Sequence, residues 1–135
     1  MDCVFCKIIK GEIATRKVYE DDHTFAFLDM KPVNLGHTLV IPKTHYESFL
    51  HVDKADLEKL IHSVQKIAKA VVQALGCEGF NLGQNNGVAA GQTVPHVHFH
   101  IMPRKPGDGY ELWHGKDHAG DKMEEVAKKP GIWII

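Results

Sequence analysis

The chain has 135 residues and a mass of 15.1 kDa, with sixteen basic and seventeen acidic side chains for a net charge of −1. That length predicts one domain, 1–135, and 44% hydrophobic with 24% charged content excludes a disordered, collagen-like or low-complexity chain. The balanced charge offers no basic field for nucleic acid or an anionic membrane, and the compositional outlier is ten histidines beside three cysteines.

In chain order, the N-terminus lacks a basic region followed by an apolar run, so no signal peptide is read. No stretch approaches about eighteen apolar residues, so no membrane span is expected and the cytoplasm is the default compartment. An odd cysteine count argues against a disulfide framework. Cys3 and Cys6 form a C-x-x-C pair, which alone is open among a redox motif, half a zinc site and coincidence. Phe5 to Lys10 reads as a short helical turn closed by Gly11. Lys17 to Glu20 and Thr24 to Leu28 read as strands joined at Asp21-Asp22. Pro32 and Gly36 punctuate a loop, and Thr38 to Ile41 is a short strand stopped by Pro42.

One long helix starts near Asp53, a fitting N-cap with Asp56 three residues on. Leu57, Leu60, Ile61, Val64, Ile67, Ala68, Val71 and Leu75 form its apolar stripe. Gly76 suits the position just past its end. Cys77 is read as a buried structural thiol. Gly79 to Gly83 is the fourth strand, Asn85 to Gly91 a loop, and Val97 to Met102 the fifth strand, ended by Pro103. A turn-rich stretch, Pro106 to Gly109, follows. The closing Ile132-Trp133-Ile134-Ile135 is apolar enough to pack on the body or a second subunit. Strands without βαβ alternation imply an α+β fold with an antiparallel sheet.

The chemistry concentrates in Pro95-His96-Val97-His98-Phe99-His100-Ile101-Met102. On a strand, alternation puts His96, His98 and His100 on one face, about 7 Å apart in succession, and Val97, Phe99 and Ile101 on the other. A merely solvated face is better served by Lys, Thr or Glu. Two functional readings remain: a three-histidine metal site with bound water as nucleophile, or histidine as a covalent nucleophile on phosphorus. The preceding Gly91-Gln92-Thr93 favours the second, since an amide, a hydroxyl and loop N–H groups suit phosphate or sugar oxygens.

His96-Val97-His98-Phe99-His100-Ile101-Met102 resembles the signature of the histidine triad family of nucleotide hydrolases and transferases. Lys7 to Ile13, Phe27-Leu28-Asp29, Gly36 to Lys43, Asn85 and Gly91 to Val94 extend the resemblance in family order over about residues 3–107, leaving 108–135 as a tail. The resemblance implies a five-stranded antiparallel sheet with one long helix and a short N-terminal helix. It also implies a homodimer with joined sheets and the long helix at the interface.

It further implies that His98 attacks the α-phosphorus, with His100 and Thr93 on the phosphate and leaving group and His37 behind the triad. Asn85 and Gln92 would meet phosphate or ribose, and Asp29 the ribose hydroxyls. Phe5, Ile8, Ile13 and Leu28 would sandwich the base, though each suits plain core equally. Some members carry a structural zinc on two such cysteines and two histidines, here Cys3, Cys6, His45 and His96; no organic cofactor is implied. The substrate expected is a purine nucleotide, acted on by a phosphoramidase of the Hint-like branch; the cysteine pair is similar to prokaryotic members. Alternatives are a Fhit-like dinucleoside polyphosphate hydrolase, suggested by Gln92-Thr93-Val94 and Pro103 to Asp108, a non-catalytic nucleotide- or partner-binding module, and a metal-dependent hydrolase. His23, His51, His62, His114 and His118 are expected at the surface, with a small expectation that Trp113 and His114 approach a leaving group.

Overall fold

A computed structural model describes residues 2–118 and 120–132. Five strands form one antiparallel sheet, ordered β1-β2-β3-β5-β4. They are β1 (Lys17–Glu20), β2 (Thr24–Leu28), β3 (Thr38–Pro42), β4 (Gly79–Gln84) and β5 (Phe99–Arg104). The helices are α1 (Val4–Ile9), α2 (Lys54–Leu75) and α3 (Lys122–Ala127). Among the described residues no helix is long and apolar enough to cross a membrane.

The central strands β2 and β3 are buried on both faces, which explains why they read as continuous apolar runs. Alternation splits their side chains between two cores. Ala26, Val40, Val97, Phe99 and Ile101 pack against Leu60, Val64, Ile67 and Ala68 of α2. Phe25, Phe27, Leu39 and Ile41 pack on the other face against Cys3, Phe5 and Ile8. Burying Leu60, Val64 and Ile67 stabilises the fold by about 1.5–3 kcal/mol each. His100 points to the α1 face, beside Leu39 across the β3–β5 ladder.

The hairpin turn closes because Asp21 Oδ1 accepts from the N–H groups of His23 and Thr24 at 2.8 and 2.7 Å. At the start of α2, Asp53 is the N-cap by position but makes no side-chain cap bond. Asp56 accepts from the Tyr46 hydroxyl at 2.5 Å, which raises the Tyr46 pKa to about 12 and fastens the 43–52 segment to the helix. Gly76 ends α2 in the left-handed region at φ 58°, as expected. Ile61 and Leu75 of the predicted stripe are half exposed, while Ser63 is buried in their stead. Cys77 is buried, and all five unassigned histidines are exposed.

The fifth strand is shifted from its expected span. It begins at Phe99, after His98, and continues through Pro103 to Arg104. Pro103 fits because β3 pairing ends at Ile101. Its carbonyl turns to that vacated side and accepts from Asn34 Nδ2 at 2.8 Å, so the missing N–H costs no ladder bond. The tail holds the short helix α3, which the sequence reading did not anticipate. Trp113 is fully exposed, Ile132 is half exposed, and the apolar end Trp133-Ile134-Ile135 lies outside the described residues.

Candidate functional site

Hydrogen bonds fix the tautomer of each histidine on the α1 face. His98 Nδ1 lies 2.7 Å from the His96 carbonyl oxygen, so it must carry the proton and donate. That leaves Nε2 of a neutral His98 as a lone pair. A second chain of bonds begins at Val33, whose N–H donates to His37 Nδ1 at 3.0 Å. His37 therefore carries its proton on Nε2 and donates to His100 Nδ1 at 2.9 Å. His100 in turn holds its proton on Nε2, as a donor. The His98 and His100 rings stand 4.9 Å apart. That is closer than strand spacing predicts, because His98 precedes the regular strand and turns back to its own i−2 carbonyl. Among the described residues neither Nε2 has a hydrogen-bond partner and neither is sealed from solvent, although His98 as a whole is only 4% exposed.

Burial keeps these rings neutral. It lowers the pKa of His37 and of His98. Burial first, then the neighbouring His98 and His37, lowers His100 to about 4, against an opposing pull from Asp29. Asp29 Oδ2 lies 3.7 Å from His37 Nε2, and its Oδ1 accepts from Lys31 N–H at 2.9 Å. An unfolded histidine titrates near pH 6.5. Between that value and about 4 the unfolded chain binds a proton that folded His100 refuses, so stability rises with pH through this window. We expect the denaturation midpoint to be full above pH 6.5 and to fall progressively toward pH 4. His100→Gln should flatten part of that slope; a slope identical to wild type would exclude His100 as a contributor.

Cys3, Cys6, His45 and His96 converge on the adjacent side of Phe5. Their ligand atoms all lie within 4.8 Å of one another. Cys3 Sγ and Cys6 Sγ lie 3.5 and 3.6 Å from His96 Nδ1, and Cys6 Sγ lies 3.5 Å from His45 Nδ1. The two Nδ1 atoms are 3.1 Å apart. A tetrahedral zinc with S at about 2.3 Å and N at about 2.0–2.1 Å spaces such atoms about 3.3–3.6 Å apart, so the donor set fits that ion. His96 Nε2 donates to the Pro42 carbonyl at 2.8 Å, which leaves its Nδ1 lone pair for a metal. Burial, then the nearby Cys3 sulfur, pushes the Cys6 thiol up, so the Cys6 sulfur ionises readily only beside a cation.

This cluster is joined to His98 twice. The His96 carbonyl holds His98 Nδ1–H. Phe5, between the two cysteines in sequence, stands edge-on to the His98 ring at 5.1 Å. Phe5 and Ile8 are buried in the α1-side core, with Ile13 packed at its margin and Leu28 half-buried at the end of β2. Asn85 is half-buried, its amide 3.8 Å from where a Cβ on Gly91 would lie, and Thr93 is exposed. No hydrogen bond among the described residues ties either to the histidines. Gln92 is spent on its own loop: Oε1 accepts from Gly87 N–H at 2.8 Å, and Nε2 donates to the Glu47 and Val94 carbonyls at 2.8 and 3.1 Å. The sequence reading missed Val33 N–H and the Pro42 carbonyl. Both are backbone groups, which residue types do not advertise.

Comparison with known proteins gives a consistent answer. The family model described as HIT domain matches residues 10–107. An uncharacterized HIT-like protein of Methanocaldococcus jannaschii is 50% identical over 94% of this chain and 97% of its own length. An adenosine 5'-monophosphoramidase of Schizosaccharomyces pombe is 44% identical over 93% and 91% of the two chains. The crystal structure of a Zn-bound histidine triad family protein from Mycobacterium smegmatis superposes with a TM-score of 0.77 at 38% identity, covering 87% and 85% of the two chains.

Proposed function

This chain belongs to the HIT family, and we propose that it is a hydrolase or transferase acting at the α-phosphorus of a purine nucleotide through a covalent nucleotidyl–His98 intermediate. One observation carries the reading. The His98 Nδ1–H bond to the His96 carbonyl leaves a neutral, solvent-facing Nε2 lone pair beside the Nε2–H of His100.

The Nε2 lone pair forms a bond to phosphorus as the bond to the leaving group breaks in line. His98 becomes cationic and keeps its Nδ1 proton, which the His96 carbonyl stabilises. His100 Nε2–H donates to a phosphoryl oxygen or to the departing group, aided by the Thr93 hydroxyl and by Asn85. Water then displaces His98 from phosphorus and releases the nucleoside monophosphate. Asp29 holds the ribose hydroxyls, and Phe5, Ile8, Ile13 and Leu28 bound the base. Gln92 acts by bracing the phosphate-side loop through Glu47, Gly87 and Val94. Cys3, Cys6, His45 and His96 hold a structural zinc, which supplies cross-linking of the N-terminal segment to the catalytic strand and no step of the reaction.

A phosphoramidase releasing AMP or GMP is the reading we favour, in keeping with the fission-yeast relative's name. The alternative dinucleoside polyphosphate hydrolase rests on Gln92-Thr93-Val94 and Pro103 to Asp108, of which the Gln92, Arg104 and Asp108 side chains are engaged in local bonding. Turnover of an adenosine phosphoramidate well above that of a diadenosine polyphosphate is the expected result; the reverse ranking would replace the first activity with the second.

We also infer a homodimer. An apolar groove of about 490 Å³ lies between α2 and the edge strand β4, lined by Ile61, Val64, Ala68, Val72, Phe80 and Leu82. An exposed apolar edge of this kind invites pairing with a second copy. Light scattering should return twice the mass of one chain, and a single-chain mass would remove the inference.

A further inference from the structure

The loop 29–37 carries both Asp29 and the His37 relay, and its Gly36 lies close against Leu75 and Pro103. Its ends meet through Asp29 N–H on the His37 carbonyl at 2.8 Å. Its middle is tied to the rest of the fold through Asn34. The Asn34 side-chain amide donates to the Pro103 carbonyl at 2.8 Å and to Asp108 Oδ2 at 3.0 Å. Asp108 is itself clamped by Arg104, with Nε to Oδ2 at 2.7 Å and Nη2 to Oδ1 at 3.0 Å. Arg104 also donates to Asn81 Oδ1 on β4 at 2.7 Å. The clamp therefore spans both strands at that end of the sheet. The Asn34 carbonyl, meanwhile, accepts from His37 N–H at 3.0 Å. One residue thus links the clamp to the backbone that delivers Val33 N–H to His37 Nδ1.

We propose that Asn34, anchored by Asp108, is a positioning residue that sets the tautomer of His100 through Val33 and His37. Among the described residues, Val33 N–H is the only fixed donor that forces the His37 proton onto Nε2, and that proton forces the His100 proton onto its own Nε2. If the loop slackens, His37 can place its proton on Nδ1. Its Nε2 then accepts from His100 Nδ1–H, and His100 presents a bare lone pair to the reaction. A lone pair cannot protonate a departing amine and repels phosphoryl oxygens. The inference rests on the proposed nucleotidyl transfer for its kinetic consequence and on geometry alone for its tautomer consequence.

The test uses the full chain, wild type and Asn34→Leu, with the smaller Asn34→Thr run beside it in case the first does not fold. Long-range proton–nitrogen NMR of the His37 and His100 rings reads the tautomers directly. Turnover is measured on two adenosine 5'-phosphoryl substrates, one with an alkylamine leaving group and one with a nitrophenolate. We expect a single Nε2–H tautomer for His100 in wild type and a mixture in the variant. We expect about a 10–100-fold loss of kcat on the alkylamine substrate, which needs the proton, and about threefold or less on the nitrophenolate, which does not. An unchanged tautomer in the folded variants, or equal losses on both substrates, would overturn the proposal. Wild type that turns over neither substrate would defeat the proposed function, while the NMR readout still judges the role of Asn34.

Discussion

His98→Ala should reduce turnover by about 10⁴-fold or more while leaving the fold and nucleotide affinity largely in place. The size follows from what the residue supplies. A covalent route splits one difficult displacement into two easier ones, and removing the nucleophile removes both. Each factor of ten is about 1.4 kcal/mol of barrier, so the loss corresponds to about 5–6 kcal/mol of stabilisation along the reaction path. Among the described residues no neighbouring ring can substitute. His100 offers a proton on Nε2, His37 is buried behind it, and His96 has one nitrogen on Pro42 and the other facing the cysteines. Nucleotide binding should survive because the contacts proposed for Asp29 and Asn85 are untouched by the substitution. Steady-state kinetics with equilibrium binding of AMP reads both quantities. Retention of a tenth or more of wild-type turnover in a folded variant would mean that phosphorus is attacked by something else.

Cys6→Ser should cost about 3–5 kcal/mol of stability, since loss of a metal centre belongs to the small class of large-effect changes. For a chain of this length that lowers the melting temperature by about 10–20 °C. Cys6 is the better target because Cys3 is buried in the α1-side core, where a serine would add a packing defect of its own. The variant should also lose activity, because the ring of His96 lies in the cluster and its carbonyl holds His98 Nδ1–H. Elemental analysis should find one zinc per wild-type chain and none per variant chain. A metal-free wild-type preparation that melts as before would show that the four side chains pack together without needing the ion.

Why some of this was legible in advance is a matter of which signals are carried by side-chain type. The His-φ-His-φ-His alternation announces a strand with three imidazoles on one face; His98 and His100 do gather with His37, whereas His96 precedes the regular strand and its ring joins Cys3, Cys6 and His45. The α2 stripe and the terminal Gly76 follow from helical periodicity and from backbone freedom at positive φ. The tautomers were not legible, because they depend on where the carbonyls of His96 and Pro42 and the N–H of Val33 fall in space. Asp53 was read as a cap from its type and position, yet its carboxylate makes no cap bond. Asp108 and Arg104 lie four residues apart and look like an ordinary turn. Their meaning depends on Asn34, 74 residues from Asp108 in the chain. Pro103 reads as a strand stop because it lacks an N–H, and that the β3 ladder gives out at Ile101, which makes the proline tolerable, is not visible in the sequence.

The central claim, a bond between His98 and phosphorus, is tested most directly by trapping it. Wild-type protein is mixed with an adenosine phosphoramidate, quenched with alkali at early times and digested for mass spectrometry, since phosphoimidazole bonds are labile to acid. We expect an adenylyl group on the peptide spanning His96 to His100, localised by fragmentation to His98 and absent from His98→Ala. Turnover with no adenylylated peptide at any time point, together with solvent oxygen entering the product at the same rate in His98→Ala, would contradict it.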